Sequence, residues 1–102
     1  IFRNGTAFST TQSSTQTLTL ITIGKRGNLE YSGFIDEIAF FSSDQSSNIS
    51  TIYNGGVPGD LTSLSPSGWW RFNEGSGTTA IDSAGSNNGT ISGATYSTDV
   101  PS

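Results

Sequence analysis

Hydrophobic residues along this chain come in short blocks, and long stretches of Ser, Thr, Gly and Asn separate them. Blocks of this length, rich in β-branched and aromatic residues, predict β-strands, and the Gly and Asn residues between them predict turns. The first block is interrupted by Asn4-Gly5, a pair that tolerates the positive φ angles of a two-residue turn, so we expect a hairpin there. Further strands are predicted at residues 17–23 and 29–31, with a glycine-rich turn at 24–28 between them.

The strongest strand pattern covers residues 34–41. Its bulky residues are nearly continuous on both faces, which is typical of a central strand rather than an edge strand. The apolar period then changes to three and four residues over 47–53, which predicts a short helix. We expect Ser46 or Ser47 to cap the start of this helix, and the Asn-Gly-Gly sequence at 54–56 to end it through a left-handed residue.

A second apolar unit begins at residues 69–72, and a long polar loop leads from it to strand-like alternation at 89–96. Short strands with a single helix predict an all-β fold, an antiparallel β-sandwich. Bulky strand residues face inward in such a sandwich, so they should form its core. The expected core residues are Phe34, Ile35, Ile38, Phe40, Trp70 and Phe72.

The composition narrows the class of protein. The chain has 102 residues, enough for one small domain. Its apolar fraction is 31% without glycine, and with its 13 glycines included it still lies slightly below the ~45–50% of a usual globular domain. Almost one residue in three is Ser or Thr, and only 12% are charged. This excludes a coiled coil and a charged disordered tail, and no stretch approaches the ~20 consecutive apolar residues of a membrane span.

Charge and missing residue types narrow the function. The net charge is −4 with only four basic residues, so the chain has no basic stripe for nucleic acid or an anionic membrane. It has no Cys, which excludes a disulfide frame, and no His, which removes the commonest general base. Asp36 and Glu37 are adjacent on a predicted strand, where neighbours point to opposite faces and cannot flank one bond. We therefore expect no nucleic-acid partner, no membrane insertion and no enzymatic activity.

Two segments resemble one known family. Residues 33–41 (Gly-Phe-Ile-Asp-Glu-Ile-Ala-Phe-Phe), the helix after them and the Ile-Tyr-Asn-Gly-Gly sequence at 52–56 resemble the end of a laminin G-like, concanavalin A-like jelly-roll domain. Residues 69–91, which begin Trp-Trp-Arg-Phe-Asn-Glu-Gly-Ser-Gly-Thr-Thr, resemble the opening of the same fold. The resemblance implies a concanavalin A-like jelly roll, incomplete in this chain, similar to domains of phage tail-fibre-like and bacterial surface proteins.

The two segments stand in reversed order, with the ending first. They divide the chain into closing strands and a short helix at residues 1–57, a linker at 58–68 and an opening-strand-like C-terminal module at 69–102. First and last strands are neighbours in this family, so we expect residues 69–72 to lie antiparallel beside 34–41 of this chain or of another copy. Full domains of the family are longer. We therefore expect a piece of a longer protein, with apolar faces that contact other copies or other parts of that protein.

Side-chain oxygens indicate a candidate metal site, and aromatic rings indicate a candidate glycan site. The resemblance implies calcium in some relatives, between the opening loop and the closing strand, which singles out Asp36 and Asp82 as metal ligands. The alternative is that Asp82 and Asn87 form side-chain-to-backbone turns in their Gly/Ser loop. Glycan binding is the second candidate, because a pyranose stacks on an exposed ring while amides and carboxylates bind its hydroxyls. The candidate glycan-binding residues are Trp69, Tyr31, Tyr96 and Asn87.

These observations favour a non-catalytic structural and binding module of an extracellular or virion fibre or surface protein. Its expected partner is a glycan or a cell-surface receptor. One alternative is an accessory carbohydrate-binding domain of a polysaccharide-degrading enzyme. Another is a purely structural fibre subunit, completed by neighbouring chains through strand addition at open sheet edges.

Overall fold

The computed structural model describes residues 2–7 and 20–101, with residues 2 and 3 described by their backbone only. Within these ranges, short strands pair two by two in antiparallel sheets and accompany one short helix. The strands are β1 (Phe2–Arg3), β2 (Thr6–Ala7), β3 (Lys25–Arg26), β4 (Leu29–Glu30), β5 (Ile38–Phe40), β6 (Gly68–Trp70), β7 (Thr79–Ala80) and β8 (Gly89–Thr90). The prediction of an antiparallel β fold with little helix is confirmed, but the described residues show no two sheets packed face to face.

The first two hairpins are local structures set by their turn residues. Asn4 and Gly5 join β1 to β2 with φ angles of 50° and 77°, as the Asn-Gly pair predicts. Strand β3 pairs with β4 across Gly27, which has a φ of 60°. The strand predicted at residues 17–23 is wrong for residues 20–23, which are irregular, and its remaining residues lie outside the described ranges.

The pairing of β5 with β6 joins distant parts of the sequence. Ile38 lies opposite Trp70, and Phe40 lies opposite Gly68, so the expected antiparallel neighbours are present within one chain. The rings of Phe40 and Trp70 meet edge to face, with centroids 5.8 Å apart. The strand is much shorter than the predicted 34–41, because Glu37 has a φ of 50° and interrupts the extended backbone.

Helix α1 (Ile49–Tyr53) follows a 3₁₀ turn at Ser46–Asn48 and is close to the predicted 47–53. Asn54, in the left-handed region with a φ of 45°, ends it as expected. The start differs from prediction. Neither predicted serine caps it, and Oδ1 of Asp44 accepts the backbone N–H of Ser46 at 2.9 Å.

The C-terminal part is built around β6. Trp70 pairs with Ile38 on one side and forms a bridge to Asp82 on the other. The backbone N–H of Ser83 donates to the carbonyl of Trp69 at 2.7 Å, and strands β7 and β8 enclose this loop. Strand β6 is therefore the one that connects the two halves of the described chain.

The core is small and sits beside β6. Among the described residues the buried apolar side chains are Leu61, Trp69 and Ala80. The predicted core is wrong for Phe34, Ile35 and Phe40, which are exposed, because the described residues form no second sheet that covers them. The other three predicted core residues are only half-buried: Ile38, Trp70 and Phe72. No helix in the described part of the chain has the length and apolar character to cross a bilayer.

Gly68→Ala should destabilise the pairing of β5 with β6. A Cβ atom at this position would lie 2.5 Å from Cη2 and 2.8 Å from Cζ3 of the Trp70 ring. We expect a loss of about 1–3 kcal/mol in the free energy of unfolding, as at other overpacked sites. Urea unfolding followed by tryptophan fluorescence measures it. Gly89→Ala is the matched control, since its Cβ would meet its nearest neighbour at 3.7 Å, and equal stability of the two variants would contradict the prediction.

The 102-residue chain should self-associate in solution and have low stability on its own. Leu20 and Leu29 are 82% and 75% exposed, and further large apolar side chains of the described residues are exposed as well. Where such side chains adjoin, they form an apolar patch of the kind that marks a contact surface. Two-stranded sheets without a covering layer are also marginally stable. Sedimentation velocity at several concentrations and calorimetry test this expectation. A monomer that melts in one cooperative transition would contradict it.

Candidate functional site

The loop after β7 is organised by the carboxylate of Asp82, which is only 4% exposed. Oδ1 accepts the backbone N–H groups of Trp69 and Ala84, both at 3.0 Å, and Oδ2 accepts that of Asn87 at 3.1 Å. The N–H of Asp82 itself donates to the side-chain oxygen of Asn88 at 2.9 Å. Side-chain-to-backbone hydrogen bonds of this kind are the alternative to calcium binding that the sequence offers for Asp82.

The hydrogen bonds also control the ionisation of Asp82. Burial raises the pKa of this carboxyl, but the N–H donors of Trp69, Ala84, Asn87 and Gly85 together outweigh burial and hold the pKa below its ordinary value. The carboxylate is thus the form that the folded loop favours. In the neutral pH range this carboxylate stabilises the loop by accepting backbone hydrogen bonds.

Glu37 connects β5 to β6 through its side chain. Its Oε2 accepts the indole N–H of Trp69 at 2.8 Å, and its Oε1 accepts the Nε–H of Arg71 at 3.0 Å. The guanidinium carbon of Arg71 lies 4.5 Å from the centroid of the Trp69 ring, a cation–π distance. Trp69 is 4% exposed, so neither face of its ring is available for stacking a sugar in this structure.

Glu74 fixes the C-terminal segment in a similar way. Its Oε2 accepts the backbone N–H of Ile81 at 2.8 Å, and its Oε1 accepts the hydroxyl of Tyr96 at 2.9 Å. The backbone hydrogen bond from Ile81 is the main cause that lowers the pKa of Glu74. Tyr96 is half-buried with its hydroxyl engaged, and Asn87 has an exposed side chain while its carbonyl accepts the indole N–H of Trp70 at 2.9 Å.

Tyr31 lies in a different place, in a shallow open depression. The depression is lined by Gly24, Tyr31, Phe34, Ile35 and Asp36. Tyr31 and Phe34 are 60% and 66% exposed, and the hydroxyl of Tyr31 donates to the carbonyl of Phe34 at 3.3 Å. A Cβ at Gly33 would lie 2.6 Å from the hydroxyl oxygen of Tyr31, so only glycine leaves this ring its position.

Asp36 gives this depression its charge. Burial raises the pKa of Asp36, and the neighbouring charge of Glu37 raises it further, against smaller opposing effects of the Glu37 backbone N–H and of Arg71. Asp36 is half-buried and lines the same surface as Tyr31. The depression therefore combines exposed aromatic rings with a partly desolvated carboxyl.

The predicted site residues separate into two groups. Trp69 in β6 and Asp82 and Asn87 in the loop after β7 come together through hydrogen bonds, and Tyr31 and Asp36 share the depression. Tyr96 belongs to neither group, because its hydroxyl binds Glu74. No group of three acidic side chains is assembled for a metal ion within the described residues. Calcium at Asp36 and Asp82 stays a prediction, and Asp82 would have to release backbone hydrogen bonds to take part in it.

The sequence interpretation missed Glu37 and Glu74 as hydrogen-bond acceptors. The predicted antiparallel pairing of residues 34–41 with 69–72 could have indicated the contact of Glu37. Where Ile38 lies opposite Trp70, the next two residues along the strands are Glu37 and Arg71. Glu74 contacts Ile81 and Tyr96 across a loop, and no periodicity indicates such contacts.

Comparison with known proteins adds no family to this picture. No family model, no curated protein and no solved structure matches the chain. The resemblance to laminin G-like domains therefore rests on the residues quoted for it.

Asp82→Asn should destabilise the C-terminal loop at neutral pH. An amide replaces one acceptor oxygen by a donor that faces backbone N–H groups, so we expect a loss of about 1–3 kcal/mol. The folded-state pKa is depressed, so the stabilisation by Asp82 is present above the unfolded-state pKa and is lost as the pH falls through the folded-state pKa. The difference between wild type and variant should accordingly shrink in acid. Urea unfolding at several pH values measures this.

Asp99→Asn is the matched control for that experiment, because it removes an exposed acid outside the loop. It should leave the stability nearly unchanged. A loss of equal size in both variants, or a loss at Asp82 that does not vary with pH, would contradict the role assigned to the Asp82 carboxylate.

Proposed function

We propose that this chain is a non-catalytic binding and structural module that binds a glycan in the depression lined by Tyr31, Phe34 and Asp36. The observation that carries this proposal is the pair of exposed aromatic rings beside a half-buried carboxyl. An exposed ring offers a flat apolar surface to the C–H face of a pyranose. A carboxylate accepts hydrogen bonds from sugar hydroxyls.

The same contacts support a binding role rather than catalysis. Glu37 is occupied by Trp69 and Arg71, whereas Asp36 lines the depression, so the two adjacent acids do not act on one bond. The chain also has no His or Cys to serve as base or nucleophile. The exposed rings and the single carboxyl at this surface are groups that can bind a sugar.

We also propose that the chain derives from a laminin G-like, concanavalin A-like sandwich on the outside of a cell or virion. The antiparallel pairing of β5 with β6 supports this, since it joins the segments that resemble the end and the opening of that fold. The exposed apolar residues fit a sandwich whose second layer comes from elsewhere. An accessory domain of a polysaccharide-degrading enzyme would use the same glycan site.

A second candidate function is that of a structural fibre subunit completed by neighbouring chains. It is favoured by the exposure of Leu20 and Leu29 and by β5, which pairs with β6 on one edge only in the described residues. Strand addition at such an edge is a common mode of assembly. This function requires self-association but no glycan.

Tyr31→Ala should weaken glycan binding at least about tenfold, a change that corresponds to ~1.4 kcal/mol. The reason is the loss of the exposed ring on which the sugar would stack. A glycan array with the intact chain identifies a ligand, and titration calorimetry compares the variants. Val100→Ala, another exposed apolar residue outside the depression, is the control and should bind as the wild type does. Failure of the whole array, or equal binding by Tyr31→Ala, would contradict the proposal.

A further inference from the structure

We infer that the depression selects glycans that carry a free, protonated amine, such as glucosamine units, over neutral or N-acetylated ones. This inference rests on the proposed function, because it concerns the kind of sugar that enters the same site. It is carried by a carboxyl that forms no ion pair with any described side chain and by two mostly exposed aromatic side chains, which line one depression together.

Among the described side chains, none forms an ion pair with the carboxylate of Asp36. The ion pairs among the described side chains join Lys25 to Glu30 at 3.4 Å and Arg71 to Glu37 at 3.0 Å. No lysine or arginine whose side chain the structure describes lies within salt-bridge distance of Asp36. With a net charge of −4, the chain as a whole also favours a cationic ligand over an anionic one.

The rings of Tyr31 and Phe34 also favour a cationic ligand. The face of an aromatic ring carries negative potential and attracts an ammonium group held above it. Both side chains are mostly exposed and line the depression together with Asp36. A neutral sugar gains stacking and hydrogen bonds here, whereas an amino sugar gains in addition an ion pair and a cation–π contact.

The environment of Asp36 makes the additional binding energy of an amino sugar specific to its positive charge. Burial and the charge of Glu37 both raise the pKa of Asp36, so its carboxylate is less well solvated than a free one. An ammonium group placed beside it offsets both effects. A hydroxyl group in the same place donates a hydrogen bond but brings no compensating charge.

The test is titration calorimetry of the intact chain at physiological salt with three probes: a glucosamine trisaccharide, the corresponding N-acetylglucosamine trisaccharide and trilysine. We expect the glucosamine trisaccharide to bind at least about tenfold more tightly than the N-acetylated one. Asp36→Asn should remove this preference, and Asp36→Glu should keep it. Asp99→Asn removes one exposed charge elsewhere and should keep the preference, which separates a local ion pair from general attraction of a cation to an acidic protein.

Asp36→Asn is expected to fold, because it removes a charge that its surroundings disfavour. Tryptophan fluorescence and circular dichroism check this, and Asp36→Ser serves as a second neutral variant, also expected to lose the preference, if the Asn variant misfolds. Stronger binding of the glucosamine probe that depends on the charge at residue 36 supports the inference.

The remaining outcomes overturn it in distinguishable ways. If a neutral glycan binds as tightly or more tightly, and does so through Tyr31, the inference fails and the proposed function stands. If no saccharide of any kind binds, both fail. If trilysine binds as tightly as the glucosamine probe with the same dependence on Asp36, the site recognises a basic peptide and the inference is likewise overturned.

Discussion

The described structure depends on one antiparallel strand pair with a carboxylate on either side of it. Glu37 accepts hydrogen bonds from Trp69 and Arg71 on one side, and Asp82 accepts the N–H of Trp69 on the other. Trp69 is thereby held at both its backbone and its indole. Hydrogen bonds to charged groups are worth ~1.5–3 kcal/mol each, so these contacts fix a three-residue strand that pairing alone would leave marginal.

The small sheets of the described residues explain the distribution of their apolar side chains. The loop organised by Asp82 is hydrogen-bonded to the backbone of Trp69, which is buried, as is Ala80. Phe34 lies outside the helices and strands of the described residues, and it is exposed. The exposed rings and the small core both follow from the lack of a second packed sheet among the described residues.

Sequence patterns predicted the features that depend on local backbone preferences. Asn4-Gly5 forms its turn, and Asn54 ends the helix, because both positions require positive φ that these residues tolerate. The pattern over 34–41 shows which side chains are apolar but not whether a second sheet covers them, so the predicted core failed. It also gave no sign that Glu37 adopts a positive φ, the conformation in which its side chain binds Trp69 and Arg71, which are distant in the sequence.

The same strand pair explains why no described cation forms an ion pair with Asp36 in the depression. Glu37 adopts a φ of 50°, which costs a non-glycine residue ~1–2 kcal/mol, and its two charge-assisted hydrogen bonds offset this cost. Arg71 is therefore held between Glu37 and the Trp69 ring and is not paired with Asp36. The contact between Glu37 and Arg71 engages this cation, and Asp36, which lines the depression with Tyr31 and Phe34, forms no ion pair with any described side chain.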